Sequence, residues 1–522
     1  MSNELSRLFP APLALVTLLI SAVAGAQPPN VVPSDANGNT AMGSGALSNN
    51  STGQNNTAAG AGALVTNTTG STNNAFGVNA LVANTSGYSN TAVGTSTLSG
   101  NTTGFINTAV GDYALANNTT GAGNNAVGVN ALALNSTGHD NTAVGLSALY
   151  SNTTGTVNTA IGNYALTQNT AGYENSAFGF GALSNTTTGS QNTAAGANAL
   201  ADNTTGTQNT ALGDAALLSN TVGFANTATG ANSLANNTTG TTNTANGNSA
   251  LANNTTGFSN SAVGESALVS NTTGAQNTAI GGAALLSNTT GNNNVGIGMN
   301  AGSNITTGGQ NIAIGLNAGS NLTTGNGDID IGSAGAAGES HTIRIGDAGA
   351  YTKTFIAGIW GSHTQPGLPV FVNSSGELGV VPSSERYKID VTPMGSISER
   401  LLQLQPVTFH FKSDPTGSLQ FGLIAEEVAR VYPELVIRDE NGTIEGVRYD
   451  ELAPILLNEV QQQRQSIVEL SQQLEALRSR MAGVDAVQTE LEELRRVTSK
   501  LVAASAEDPA LGRPVGQLAM SK

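Results

Sequence analysis

The chain has no cysteine, so no disulfide can brace it, and any stability outside a reducing compartment has to come from repetition and assembly. Basic residues are missing from most of its length: between Arg7 and Arg344 there is neither Lys nor Arg, and only ten acidic side chains. Such a surface offers phosphate no cations, which excludes nucleic-acid binding by charge. The formal net charge of −16 favours solubility over any anionic partner. The four histidines, His139, His341, His363 and His410, are scattered without metal-ligand or triad spacing, so neither a metal nor a cofactor is expected. Beyond residue 26 no run is apolar enough to span a bilayer.

What fills the chain instead is a glycine that returns every seventeen residues, at 18 successive positions from Gly43 to Gly332. A second glycine follows ten residues behind it, from Gly53 to Gly325. Asn stands four before the frame glycine from Asn39 to Asn311, with Asp328 replacing it in the last copy. Ala stands two before it from Ala41 to Ala279, and Leu four after it from Leu47 to Leu285. A fixed period of this length means stacked units that cannot bury an apolar face alone. Seventeen residues are too few for a helical pair. They have room for two strands of about four to five residues, one around Thr-Ala-Val-Gly and one around Ala-Leu, joined by Gly and Asn turns. The expectation is therefore a mostly β chain whose core is a parallel β-solenoid, a rod roughly 80 Å long at the usual inter-strand spacing. The repeated Ala implies a narrow interior, and Leu supplies about 2 kcal/mol of burial per coil. The residue before the frame glycine is mostly bulky and apolar (Phe76, Val93, Ile161, Ile280) and reads as a further packing face, in the coil or against another chain. The many Asn-x-Thr triplets read as turn chemistry rather than glycosylation sites.

The amino terminus has the grammar of a secretory signal: Arg7, then the apolar stretch 11–23, then Ala24-Gly25-Ala26 as cleavage site. Residues 1–26 are expected to be removed, and 27–38 to serve as linker.

The solenoid motif, as at Asn90-Thr91-Ala92-Val93-Gly94, resembles the heads of trimeric autotransporter adhesins, and that resemblance implies rolls packed in threes. The chain departs from those adhesins by ending without the amphipathic strands of an outer-membrane barrel. Residues 39–332 are assigned to the solenoid and 333–382 to a β-rich connector with short strands at Thr342–Ile345, Thr354–Ala357 and Val370–Val372.

From Ser383 the composition turns mixed α and β. Ser383-Ser384-Glu385-Arg386-Tyr387-Lys388-Ile389-Asp390, Leu404-Gln405-Pro406-Val407-Thr408-Phe409, Phe421-Gly422-Leu423-Ile424-Ala425-Glu426-Glu427-Val428, Pro433-Glu434-Leu435-Val436 and Val447-Arg448-Tyr449 follow one another in order. This series resembles the self-cleaving intramolecular chaperone domains of endosialidase tail spikes. The resemblance implies trimerisation of the fibre ahead of the domain, then autoproteolysis immediately before a serine. Carried over, the nucleophile is Ser383, the base Lys388 and the scissile bond Pro382-Ser383. The family's usual Ser-Asp is Ser383-Ser384 here, which makes Ser384 the reserve candidate. The chemistry stands on its own terms: a serine hydroxyl needs a neighbouring base, and a lysine acts as one when burial favours its neutral form. Tyr387 and Ile389 flank Lys388 and are the expected source of that burial.

The domain is placed at 383–455, and a coiled coil follows at 456–505. Val460, Ile467, Leu470, Leu474, Leu477, Met481 and Val484 keep heptad a and d spacing, and Val487, Leu491, Leu494 and Leu501 resume it after a three-residue phase shift. Gln463 is a polar break in the seam. Residues 506–522 are expected to be a disordered tail. The whole predicts an exported, adhesin-like bacterial surface fibre that acts as a single-turnover serine autopeptidase. Its expected partners are two further copies of itself, as a homotrimer, and a host-surface, glycan or matrix ligand, with no nucleic acid and no membrane span. The alternatives are an uncleaved fibre on a permanent trimerisation foot and a phage-derived tail fibre.

Overall fold

In the computed structural model residues 34–506 are described, apart from 348–349, 352, 358, 360–368, 374–375 and 440. The expected signal peptide, most of the linker and nearly all of the expected tail lie outside the described residues. The chain divides into two compact units, Met1–Ile356 and Ala357–Lys522.

The first unit is a parallel β-solenoid with nineteen strands in one sheet. Each coil contributes one three-residue strand, beginning with Thr40–Met42 and Thr57–Ala59, and every strand pairs in register with the same position of the next coil. The second strand expected around Ala-Leu is not formed. Its leucines occupy the left-handed region, with φ 52° at Leu166 and 53° at Leu200, which no strand allows. That conformation costs roughly 1 kcal/mol per residue. Burial of the leucine, about 2 kcal/mol, offsets it, and so does a backbone bond across the coils, as from Leu166 N–H to Ala182 O at 2.9 Å. The same geometry explains why the column is leucine and never Val or Ile, since a β-branched side chain clashes at positive φ. In the coils after Leu285 the column changes to Gly302 and Gly319, and the core is filled from three residues further on by Ile305 and Leu322. A Cβ on Gly302 would stand 3.0 Å from Ile305 Cδ1, so the two arrangements exclude each other.

The strand alternates cleanly: its central Ala points inward and is fully buried from Ala58 onward, while the residue before the frame glycine points out and stays partly exposed at Phe76, Val93 and Ile161. That bulky column therefore does not pack within the coil.

Two ladders of buried asparagines run through the solenoid. In the first, each Nδ2 from Asn56 to Asn277 donates to the Oδ1 one coil back and to a glycine carbonyl, as from Asn90 to Asn73 at 3.0 Å and to Gly104 O at 2.9 Å. Asp35 heads it, accepting from Asn39 N–H and Nδ2 at 2.9 Å, and these bonds hold its carboxyl below the usual range. The second uses the Asn of the Asn-Thr-Thr-Gly turn, as from Asn84 Nδ2 to Asn67 Oδ1 at 2.7 Å. The next coil's carbonyl completes that turn: Thr102 O receives the N–H groups of Thr85, Ser86 and Gly87 at 2.9, 3.2 and 3.3 Å. Asparagines of the triplets such as Asn84 and Asn152 are fully buried, so a glycan cannot reach them in the folded rod.

Thr186 interrupts the second ladder and leaves its own Oγ1 and Asn169 Oδ1 without partners. A buried polar atom left unpaired costs about 1–3 kcal/mol. Thr186→Asn reconnects Asn169 to Asn203, and thermal unfolding of the variant is expected to show a gain of about 2 kcal/mol.

The seventeen-residue spacing ends at Gly332, but the sheet does not. Strand Ile343–Ile345 pairs in parallel with Ile329–Ile331 after a coil of only 14 residues, counting from Ile329 to Ile343. Among the described residues no strand forms at 353–357. In the second unit Phe371–Val372 forms a hairpin with Leu378–Gly379. Two antiparallel pairs follow, Val407–Phe409 with Gln420–Gly422 and Val436–Arg438 with Ile444–Val447. The helix Ala425–Val431 sits between them in sequence, and a 58-residue helix, Tyr449–Ala506, ends the described chain. The core of this unit is small: Val428, Tyr432, Leu435, Val436 and Ile455.

Candidate active site

Ser383 and Lys388 are brought together by one tight turn. Residues Glu385–Tyr387 form a single 3-10 turn, closed by Tyr387 N–H to Ser384 O and Lys388 N–H to Glu385 O, both at 3.0 Å. Ser384 before it and Lys388 after it are extended, so the chain leaves the turn nearly as it entered. Five residues of sequence thereby fold back until Lys388 Nζ stands 3.4 Å from Ser383 Oγ. That distance lies at the long end of hydrogen bonding, enough for a proton to pass after a small rotation.

Among the described residues nothing in the single chain covers the pair. Residues 381–391 are all exposed, Pro382 and Ser384 included. Tyr387 has Arg386 over its ring at 4.7 Å rather than Lys388, and Ile389 projects away with 88% of its surface accessible. The burial expected from these two flanking side chains is not provided by them.

Sequence reasoning missed the groups that hold the rest of this region together. Tyr432, fully buried, donates its hydroxyl to Ile397 O at 2.8 Å, and burial pushes its phenol up. The Arg400 guanidinium lies 4.2 Å from the centre of that ring and donates to Val431 O and Glu434 Oε1, each at 2.8 Å. Asn458, from the long helix, donates to Gly395 O and Ser398 Oγ at 2.8 Å. These contacts tie the 3-10 segment Gly395–Gln403 to the helices; the nearest signal in the sequence was the Tyr-Pro-Glu-Leu run at 432–435, which marks the turn but not the arginine that stacks on it. Among the described residues no three His, Cys, Asp or Glu side chains gather closely enough to hold a metal ion, and no helix is long and apolar enough to cross a membrane.

Neither a curated protein nor a solved structure matches the chain. One protein family does, over residues 383–437, and its description is chaperone of endosialidase. The match starts at Ser383 and takes in the turn, Lys388, Arg400 and the Tyr432 core. Residues 383–437 thus match a family of autoproteolytic intramolecular chaperones, and they follow the parallel β-solenoid in sequence.

Proposed function

We propose that the C-terminal domain gathers three copies of an exported, tail-fibre-like chain, sets their coils in register and then cuts itself away between Pro382 and Ser383. The observation that carries this reading is the approach of Lys388 to Ser383 at the first residue of the family match. Near-identical coils can slip by a whole repeat at little cost, and a trimeric clamp removes that freedom. Release then makes the assembly hard to reverse.

The chemistry follows from a serine that precedes its own nucleophile role by one bond. Ser383 Oγ adds to the Pro382 carbonyl carbon while the neutral Lys388 amine takes the hydroxyl proton. The Pro382–Ser383 carbon–nitrogen bond breaks, and Lys388 returns the proton to the departing Ser383 nitrogen. The acyl group is now an ester on Oγ, and water hydrolyses it, leaving the Pro382 carboxylate and a chain that begins with Ser383. The exposure of both side chains implies that a neighbouring copy supplies the desolvation Lys388 needs. Cutting would then wait for assembly.

The long helix supports the oligomer. Val460, Ile467, Leu470, Leu474, Leu477, Met481 and Val484 are all exposed in one chain, an apolar seam that a helix keeps only when partners cover it. Leu474→Asp removes about 2 kcal/mol of burial per chain and places a charge in the seam. Sedimentation of the variant is expected to show monomer where the parent shows trimer.

The exposed dyad also favours a second reading, in which the domain is a permanent foot and cuts nothing. Intact mass of the purified, assembled protein separates the two: fragments split between Pro382 and Ser383 support self-release, and whole chains in confirmed trimers overturn it.

A further inference from the structure

The inner column of the solenoid strand is alanine or, at Gly296, glycine until its last two members, which are Asp330 and Arg344, paired in register. Asp330 is 1% exposed and neither carboxylate oxygen has a partner. Its surroundings are apolar or bare: a Cβ added to Gly335 would stand 2.6 Å from Oδ2 and 3.2 Å from Leu322 Cδ2, and one on Gly319 would touch Ala313 and stand 3.6 Å from the same oxygen. Arg344 does not pair with it, because Glu339 holds the guanidinium at 2.7 Å. Asp328, two residues before it and last in the first asparagine ladder, also has an unpartnered Oδ2. The charges of Glu339, Asp328 and Asp347 all disfavour ionisation of Asp330, and only the Arg344 guanidinium favours it.

The coil that closes over Asp330 is the last one paired in the sheet. Among the described residues it pairs with another coil on one side only, the Tyr351 ring stands beside Gly332 and Gly346, and its outward residues Ile343 and Ile345 are 67% and 68% exposed. A terminal coil of a solenoid can open without disturbing the rest. We propose that residues 332–346 form a proton-operated latch, closed while the Asp330 carboxyl carries a proton and loosened when it ionises.

Burial first, then the Glu339 charge, pushes the Asp330 carboxyl up to about 6, against an opposing contribution from Arg344. The closed coil therefore holds the proton more tightly than the open one. Its stability is fully present below the open-chain value near 4 and is lost as pH rises through about 6. His341 stands on the same coil against Gly327 and keeps its imidazole in any Asp330 variant.

Amide exchange of the full chain at pH 5 and pH 8, each corrected for intrinsic rates, tests the latch. The amides to follow are Ile329, His341 and Gly346, whose bonds to Thr342 O, Asn326 O and Ile331 O tie this coil to its neighbour. In wild type their protection is expected to fall about 10-fold between the two pH values, with central coils unchanged. In Asp330→Asn and in Asp330→Ala, which restores the alanine column, protection should stay high at both. Equal wild-type protection at both pH values overturns the proposal, and so does a pH response that survives in both variants, which would belong to His341. Recovery of protection at pH 8 on adding millimolar calcium also overturns it, in favour of a cation site.

Discussion

A Ser383→Ala chain is expected to stay whole where the wild type is cut. Alanine removes the only atom that can form the ester, so intact mass should show no fragment ending at Pro382, however long the incubation. Lys388→Ala keeps the hydroxyl but removes the base, which typically slows such a step by about 10²–10⁴-fold. Lys388→Arg is the sharper probe. It keeps a cation of similar reach on an exposed side chain, yet a guanidinium does not give up its proton, so cutting should fail as in the alanine variant. Assembly in this reading rests on the apolar seam of the long helix, which none of these substitutions touches, so sedimentation should show the same oligomer for all three variants as for the parent. Ser384 provides an internal check on assignment: Ser384→Ala should cut normally, and fragments beginning at Ser384 instead of Ser383 would move the nucleophile by one residue. A Ser383→Ala chain that cuts like wild type removes the dyad altogether.

The solenoid was legible because its constraints recur at fixed spacing. A frame glycine at φ near 140° and a buried alanine leave no room for substitution, and both stand out as columns in the sequence. The one-strand coil was not legible. Leucine carries no mark of the left-handed region, and Ala-Leu followed by a polar turn reads equally well as a short strand. The asparagine columns were visible, but only the fold shows that they are two buried ladders rather than surface turns. An Asn that caps its own turn and one that bonds the coil behind it look alike in one dimension. At the candidate site the spacing from Ser383 to Lys388 was readable, whereas the exposure of both was not, because burial depends on what the flanking side chains do in space. Tyr387 turns to Arg386, and the domain's own core lies behind Tyr432 and Arg400, some thirty residues apart in sequence.

Among substitutions in the rod, Gly213→Val should do the most damage. Gly213 has φ 143°, and a Cβ there would stand 2.5 Å from the Gly230 carbonyl oxygen of the next coil. That contact is with backbone, which cannot turn aside as a side chain can. The strained conformation and the overpacking each cost about 1–3 kcal/mol, and a β-branched residue falls at the upper end of both. In a stacked array the loss is not shared evenly. Stability is close to a sum of coils and their nearest-neighbour contacts, so a broken contact divides the rod into two stretches that melt separately. The expected result is a second, earlier thermal transition and a new protease cut close to residue 213, located by the mass of the fragments. Gly282→Ala is the control within the same fold. Gly282 is not at positive φ, and its Cβ would meet nothing within 4 Å, so the variant should unfold like wild type or about 0.5 kcal/mol later. If Gly213→Val melts in one unchanged transition, the close stacking of coils at the frame glycine is not what holds the rod together. The burden would then pass to the asparagine ladders, whose bonds run from coil to coil through the interior.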